Sequence, residues 1–166
     1  MLSFLAKSQE KLGFIKSAER NFRAAVRLDP ESAEHLYNLG SFLNRRQKYQ
    51  DAYKPLGSTI KRNPQWVDAY GELAFAAFHL DLLDETREAL ATAKSAASSL
   101  KDIHLRTRSG DLRRAETTWL LIQAYDSRGD RASTCHEVED FRQLGSVASR
   151  WAPQVEEAAA RHGCTS

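Results

Sequence analysis

Proline is rare in this chain, long apolar runs are missing, and charge of neither sign dominates. With 4 prolines in 166 residues, no collagen-like or low-complexity tract is present, and 42% hydrophobic content is enough to bury a continuous core. The longest apolar run is far too short to span a bilayer. Lys7, Glu10 and Lys11 interrupt the N-terminal stretch before the apolar core of a secretory leader could form. A net charge of +2 implies neither a general nucleic-acid binder nor a membrane-surface protein. Gly-rich phosphate loops, nucleophile elbows and paired acid/base constellations are missing too. The expectation is a chain that is not an enzyme and takes no cofactor or metal.

What the chain does contain is a repeat of its apolar residues every 34 positions. Leu36, Leu39, Gly40 and Leu43 are followed by Ala52, Leu56 and Pro64. One period earlier stand Leu2, Leu5 and Ala6, then Ala18, Phe22 and Pro30; one period later come Tyr70, Leu73, Ala74 and Ala77, then Thr86 and Leu90. Leu36, Leu39 and Leu43 share one stripe of a helix, and Gly40 removes a side chain where a partner helix must come close. The polar stretch from Gln47 to Asp51 ends that stripe, and Ala52, Leu56 and Ile60 begin a second one that can be buried only against the first. Asn63-Pro64 and Asp29-Pro30 close successive units, because proline disfavours helical geometry at the residue before it and cannot donate the next backbone bond. A period of this length, with a large-x2-large-small rhythm and a closing proline, is a helix-turn-helix solenoid pattern. The chain thus resembles the tetratricopeptide repeat family. The expected fold is an all-α, right-handed helix-turn-helix solenoid.

The units fit the pattern unequally. The second fits nearly every slot, the first has Gln9 where a large apolar residue is usual, with Leu12-Gly13 as its turn, and the third lacks its closing proline. After Leu90 the period slips: the next alignable first helix, with Leu121, Ile122 and Tyr125, starts 48 residues beyond the third rather than 34. Its turn lies at Arg128-Gly129-Asp130 and its second helix runs through Thr134, Val138 and Phe141. Roughly 14 extra residues therefore separate the units. The expected layout is a single domain over 1–166, with repeats at about 1–32, 33–66 and 67–100 and an insertion at about 96–114. A degenerate hairpin follows over 111–145, its first helix N-capped by Asp111 and running to Ser127, and then a capping helix over 151–163 opened by Pro153.

Helical spacing gives the concave wall the first-helix residues that do not face the second helix. These are Lys7 and Lys11, then Tyr37, Asn38, Ser41, Asn44 and Arg45, then Glu72, Phe75, Phe78 and His79, and finally Trp119 and Gln123. Solenoids of the resembled family present such a groove to extended or helical peptides, and the resemblance places a backbone-binding asparagine at Asn38. It does not extend to a clamp for a free carboxylate, since Asp68 and Glu72 stand where the cations of such a clamp belong and would repel an acidic tail by about 1 kcal/mol. Phe75 and Phe78 are equally suited to packing between units, and Trp119 is better suited to the core.

Cys135 and Cys164 flank the last connection almost symmetrically. If the helices that carry them form an antiparallel hairpin, the thiols meet within the roughly 5.5 Å Cα separation of a disulfide. The other outcome is two separate thiols. Cytoplasm and periplasm both remain open, and a bond would favour the periplasm. A Cys2His2 cluster with His136 and His162 lacks the close paired-cysteine spacing of structural zinc sites. His104, Arg106, Arg108, Arg113 and Arg114 form a basic segment around the insertion, most simply a solvated face. Pro55 falls early in a second helix and predicts a kink there or a late start at Asp51. The first repeat begins at or before Met1 with no polar cap ahead of it, which suggests a piece of a longer protein or a face covered by another copy. The function expected is a protein-protein interaction scaffold or adaptor that holds a protein or peptide in its groove. The rivals are an oligomerisation module that self-associates through the N-terminal repeat, and an accessory domain of an enzyme.

Overall fold

The computed structural model describes residues 1–99 and 108–164. These residues form helices and turns, and no strand occurs among them. In chain order the helices are α1 (Leu2–Lys11), α2 (Ile15–Leu28), α3 (Ala33–Arg45), α4 (Tyr49–Arg62), α5 (Val67–His79), α6 (Leu83–Ser99), α7 (Arg108–Ser127), α8 (Arg131–Arg142) and α9 (Ala152–His162). A short 3-10 turn, Gly145–Ala148, leads into α9. Helices α1/α2, α3/α4, α5/α6 and α7/α8 pair as hairpins, stacked as an all-α helix-turn-helix solenoid.

One backbone device makes every hairpin. Gly13, Gln47 and Asp81 lie 34 residues apart and all adopt positive φ, at 82°, 58° and 61°. Gly129, in the fourth hairpin, does so at 68°. The residue after each donates its N–H back to the final turn of the first helix: Phe14 to Gln9 O at 2.8 Å, Lys48 to Leu43 O at 2.9 Å, Leu82 to Ala77 O at 3.0 Å and Asp130 to Tyr125 O at 3.0 Å. This left-handed cap satisfies a carbonyl that the helix end would leave unpaired, and it reverses the chain within two residues. The other ends of the hairpins are set by proline. Asp29 and Asn63, each preceding one, leave the helical region at φ −139° and −134°.

The apolar stripes meet as their period requires. Phe22, Leu39, Phe42, Leu43, Leu56 and Leu73 form one core through the first three hairpins, and Ile122, Val138, Phe141, Val155 and Ala158 form another around α7, α8 and α9. Gly40 is where α3 and α4 come closest: a Cβ there would sit 2.5 Å from Leu56 Cγ.

Two local expectations need correction. Helix α4 begins at Tyr49, not Asp51, and carries Pro55 in its interior. The bond that Pro55 cannot make would have gone to the carbonyl of Asp51, an exposed residue, so water can take its place. Helix α7 starts at Arg108, which puts Asp111 in its first turn rather than at the N-cap. Gly110 is therefore helical as well. Much of the insertion expected at 96–114, including His104 and Arg106, lies outside the described residues.

Cys135 and Cys164 are joined by a disulfide, with their Cα atoms 5.2 Å apart. The same end of α9 is held by Arg131, whose Nε donates to His162 O at 2.6 Å, and by Asp126, which pairs with Arg161 and His162. Those two side chains hold the Asp126 carboxyl below the usual carboxylate range, the Arg161 hydrogen bond contributing most.

Two stability effects are expected. Gln47→Gly should stabilise the chain by about 0.5–1 kcal/mol, because a β-carbon is disfavoured at positive φ, and Gly13→Gln should destabilise it similarly. The shift of the urea midpoint measures both. Cutting the disulfide opens a loop closed over a sequence separation of 29 residues, so Cys135→Ser/Cys164→Ser should cost about 3 kcal/mol. Thermal unfolding with and without reductant would show this as a lowered midpoint only in the parent chain.

Candidate functional site

The wall built by the first helices is mostly engaged with itself. Asn38, Ser41, Asn44, Glu72 and Phe75 are all buried, so these expected groove residues point into contacts rather than solvent. Asn44 Nδ2 donates to Glu72 O at 2.8 Å and to Glu72 Oε2 at 2.7 Å. Tyr37 is half-buried and stacks on Trp66 with ring centroids 4.6 Å apart. Burial raises the pKa of its hydroxyl, and the nearby Glu72 and Asp68 carboxylates raise it further. Arg45 donates to Ser41 Oγ at 2.7 Å and forms a two-pronged pair with Glu10 at 2.8 and 2.7 Å. Burial works against its charge, but Glu10 more than offsets that and leaves its pKa raised. Lys7 and Lys11 on α1 and Gln123 on α7 are exposed, whereas Trp119 packs against the C-terminal core.

Asn44 is covered by Glu72 of α5, and the burial of Glu72 and Phe75 themselves follows from the position of α7. It packs along α5 at least as extensively as along its own partner α8, and barely touches α6. Small residues allow the approach. A Cβ at Gly71 would lie 3.0 Å from Arg114 Cγ, and one at Gly110 would fall inside the Asp68 carboxylate. Charge then fills the interface: Arg113 sits 3.8 Å over the Phe75 ring, donates to Glu72 Oε1 at 3.4 Å and to Glu116 Oε2 at 2.7 Å. Arg114, buried beside it, pairs with Asp111. Thus the third unit's share of the groove is occupied by the chain's own fourth hairpin. Helix α8 reaches α6 through long side chains, Arg87 to Glu137 at 3.3 Å and Lys94 to Asp140 at 2.6 Å.

At the loop edge of α5, His79 stacks on Tyr49 at 4.1 Å, and Phe75 and Phe78 meet the imidazole edge-on at 4.6 and 5.6 Å. The pKa of this histidine is lowered, chiefly by burial. The cluster satisfies itself, with Arg113 as its lid.

What remains open is a cleft of about 270 Å³ between α3 and the α7/α9 side. Ser41, Arg45 and Glu72 form one wall; Leu112, Arg113 and Glu116 of α7 form the other, and Arg150 and Trp151 at the start of α9 close one end. Leu112 is 40% exposed, and Trp151 carries the Arg150 guanidinium 5.4 Å above its ring. Of these, only Ser41, Arg45 and Glu72 were expected on spacing. Leu112 carries a usable signal, an apolar residue one turn ahead of Ala115 in the C-terminal core. Arg150 and Trp151 carry none, because their place depends on where α9 docks. Among the described residues, no three His, Cys, Asp or Glu side chains converge as a metal site, and no helix is long and apolar enough to cross a membrane.

No protein-family model matches the chain, and no curated protein matches it in sequence. Solved structures do match it in fold. A crystal structure of MamA gives a TM-score of 0.65 at 23% identity, covering 92% of this chain and 79% of that one. A second, of MamA protein, gives 0.65 at 19% identity, covering 98% of this chain and 92% of the other. MamA contains tetratricopeptide repeats, and at these identities the likeness is one of architecture: this chain has the helical-repeat solenoid fold that MamA has.

Proposed function

We propose that this chain is a protein-interaction module that holds a segment of a partner protein in the cleft between α3 and the α7/α9 side. The observation that carries the proposal is the pairing of an exposed Leu112 with Trp151 in a recess whose remaining walls are polar and internally bonded. A rigid, pre-formed recess with an apolar anchor point suits peptide capture, since little ordering cost falls on the host. A catalytic role lacks comparable support: Glu72, Arg113 and Glu116 are tied to one another, which is how a packed interface rather than an acid–base pair is built.

End-to-end self-association is favoured by a separate observation. Among the described residues, all the exposed large apolar side chains except Leu112, namely Met1, Phe4, Leu5, Leu12, Phe14 and Leu28, belong to the first hairpin. In the second hairpin the slot of Leu5 is held by Leu39, which is buried.

A photo-crosslinking residue at position 112 should yield a discrete adduct in cells that express the chain, and one at Glu157 on the outer side of α9 should not. Arg150→Glu should suppress the adduct about two- to fivefold, the loss of one exposed charge contact. Equal labelling from both positions would remove the cleft as the binding site. For self-association, sedimentation should show a mass that rises with concentration and falls to a monomer's in Leu5→Glu/Leu12→Glu; a concentration-independent monomer in the parent would dismiss it.

A further inference from the structure

We propose that the turn joining α1 and α2 docks on the surface of an anionic lipid bilayer, with Leu12 and Phe14 entering the interface and the cations around them meeting headgroup phosphates. This surface is separate from the cleft and does not depend on it.

The turn projects two large apolar side chains into solvent: Leu12 is 71% and Phe14 61% exposed. Gly13 between them lies at positive φ, and the bond from Phe14 N to Gln9 O at 2.8 Å fixes the pair at the tip of two helices. Register separates this tip from the end face of the solenoid. One period on, the slot of Leu5 is held by buried Leu39, whereas the slots of Leu12 and Phe14 are held by Arg46 and Lys48. Those two side chains stay 37% and 47% exposed although a unit precedes them. Another unit or a second copy stacked ahead of the first hairpin would therefore shade the tip without covering it.

Charge is gathered around the same tip. Residues 7–20 hold four cations, Lys7, Lys11, Lys16 and Arg20, and two acids, Glu10 and Glu19. Both acids are engaged from elsewhere, Glu10 by Arg45 and Arg46 and Glu19 by Arg23 and Lys48. Lys7, Lys11 and Lys16 are exposed and enter no ion pair among the described residues, and Arg20 reaches the Ser17 hydroxyl at 3.3 Å. Each pair stands one turn apart on its helix, so all four lie within about 10 Å of the tip along the helix axes, and their flexible stems carry the charges to its level. The near-neutral total hides this local excess, because two periods after Lys16 and Arg20 the same slots hold Asp84 and Glu88.

An apolar tip ringed by cations needs a partner that yields to the tip and is negative around it. An anionic bilayer supplies both, with acyl chains beneath a plane of phosphates. A second copy offers exposed acids at Asp84, Glu85 and Glu88. Its own exposed large apolar side chains, Leu112 apart, sit on its first hairpin among the described residues, so those acids come without an apolar receiver. A nucleic acid would meet the cations and leave Leu12 in water.

Flotation of the full chain with lipid vesicles tests this. Binding to phosphatidylglycerol and phosphatidylcholine mixed about 3:7 should be at least about tenfold tighter than to phosphatidylcholine alone. That gap should narrow between about 50 and 500 mM salt. Lys11→Gln/Lys16→Gln and Leu12→Ser/Phe14→Ser, all at exposed positions and expected to keep the parent's melting temperature, should each weaken binding about tenfold. Leu5→Glu, on the stacking face, should still float with the mixed vesicles. Emission from Phe14→Trp should exceed the parent's in its shift to the blue on those vesicles and be quenched by brominated acyl chains. Failure to float on the mixed vesicles overturns the proposal, as does equal flotation on both lipids. Flotation that survives Leu12→Ser/Phe14→Ser would reduce the contact to charge alone, and flotation lost with Leu5→Glu would move it to the end face; either overturns it. Tighter binding to duplex DNA than to the mixed vesicles would assign the tip to a nucleic acid. A sedimenting mass that falls to a monomer's in Leu12→Ser/Phe14→Ser, while vesicles stay unbound, would assign it to a second copy, and both results overturn the proposal as well.

Discussion

The approach of α7 to α5 governs the rest of the architecture. Three regular hairpins would stack with their first helices forming an open inner wall, and Asp68, Glu72 and Phe75 would line it. Gly71 and Gly110 let the two backbones come near enough for Arg113 and Arg114 to lie across those side chains. The result is an interface that buries charged side chains, Asp68, Glu72 and Arg114 among them. Carboxylates placed this deep are tolerable only when partnered, because desolvating an unpaired one costs several kcal/mol. Glu72 illustrates the solution, with Asn44 on one side and Arg113 on the other. Asp68 and Glu72, which argue from sequence against a carboxylate clamp, therefore have a structural role instead: they receive the fourth hairpin.

This docking also explains the slipped period. In a regular array the next first helix would follow its predecessor after a turn of a few residues, and the array would simply continue. The 48-residue offset lengthens the connection between the third and fourth units, and α7 lies along α5 while scarcely touching α6. The insertion and the polar interface are two sides of one departure. Extra chain is inexpensive entropically, and the altered packing converts an open groove into a narrower cleft bounded by α3, α7 and α9.

The first three hairpins were legible because what forms them is local. The residues at positive φ recur at Gly13, Gln47 and Asp81 in step with the apolar stripes, and each cap is closed by a bond spanning five residues. A turn that reverses the chain within two residues leaves the following stripe only one surface to cover. The cysteine pairing was framed by similarly short-range reasoning, an antiparallel hairpin that brings its two ends level. The wall residues were less legible. Spacing assigns Asn38, Ser41, Asn44, Glu72 and Phe75 to a helix face, but whether Glu72 and Phe75 meet water is decided by a helix some 40 positions further along, and Asn44 is covered in turn by Glu72. Arg113 could be read only as part of a basic segment, since nothing nearby in sequence announces Glu72 or Phe75 as its partners. Pro55 shows the limit of a local rule that allows a kink or a late start: the late start does not occur, and the hydrogen bond lost would have gone to Asp51, an exposed residue.

The placement of α9 ties the C-terminal cross-link to the cleft. Helix α9 is short, and only Val155, Ala158 and Ala159 along it are buried, a narrow stripe of mostly small side chains that supplies limited hydrophobic stabilisation. Its C-terminal end is fixed by the Cys135–Cys164 bond, by Arg131 on two carbonyls and by Asp126. Its N-terminal end supplies Trp151, with Arg150 just before it, at the mouth of the recess. A helix of 11 residues is stiff over its roughly 16 Å length, so constraints at one end restrict the excursions of the other. The covalent and ionic contacts gathered at residues 161–164 therefore help to fix a wall of the cleft that they do not themselves touch. A weakly buried helix at the edge of an array can form part of a binding surface only if something other than its own apolar face holds it in place.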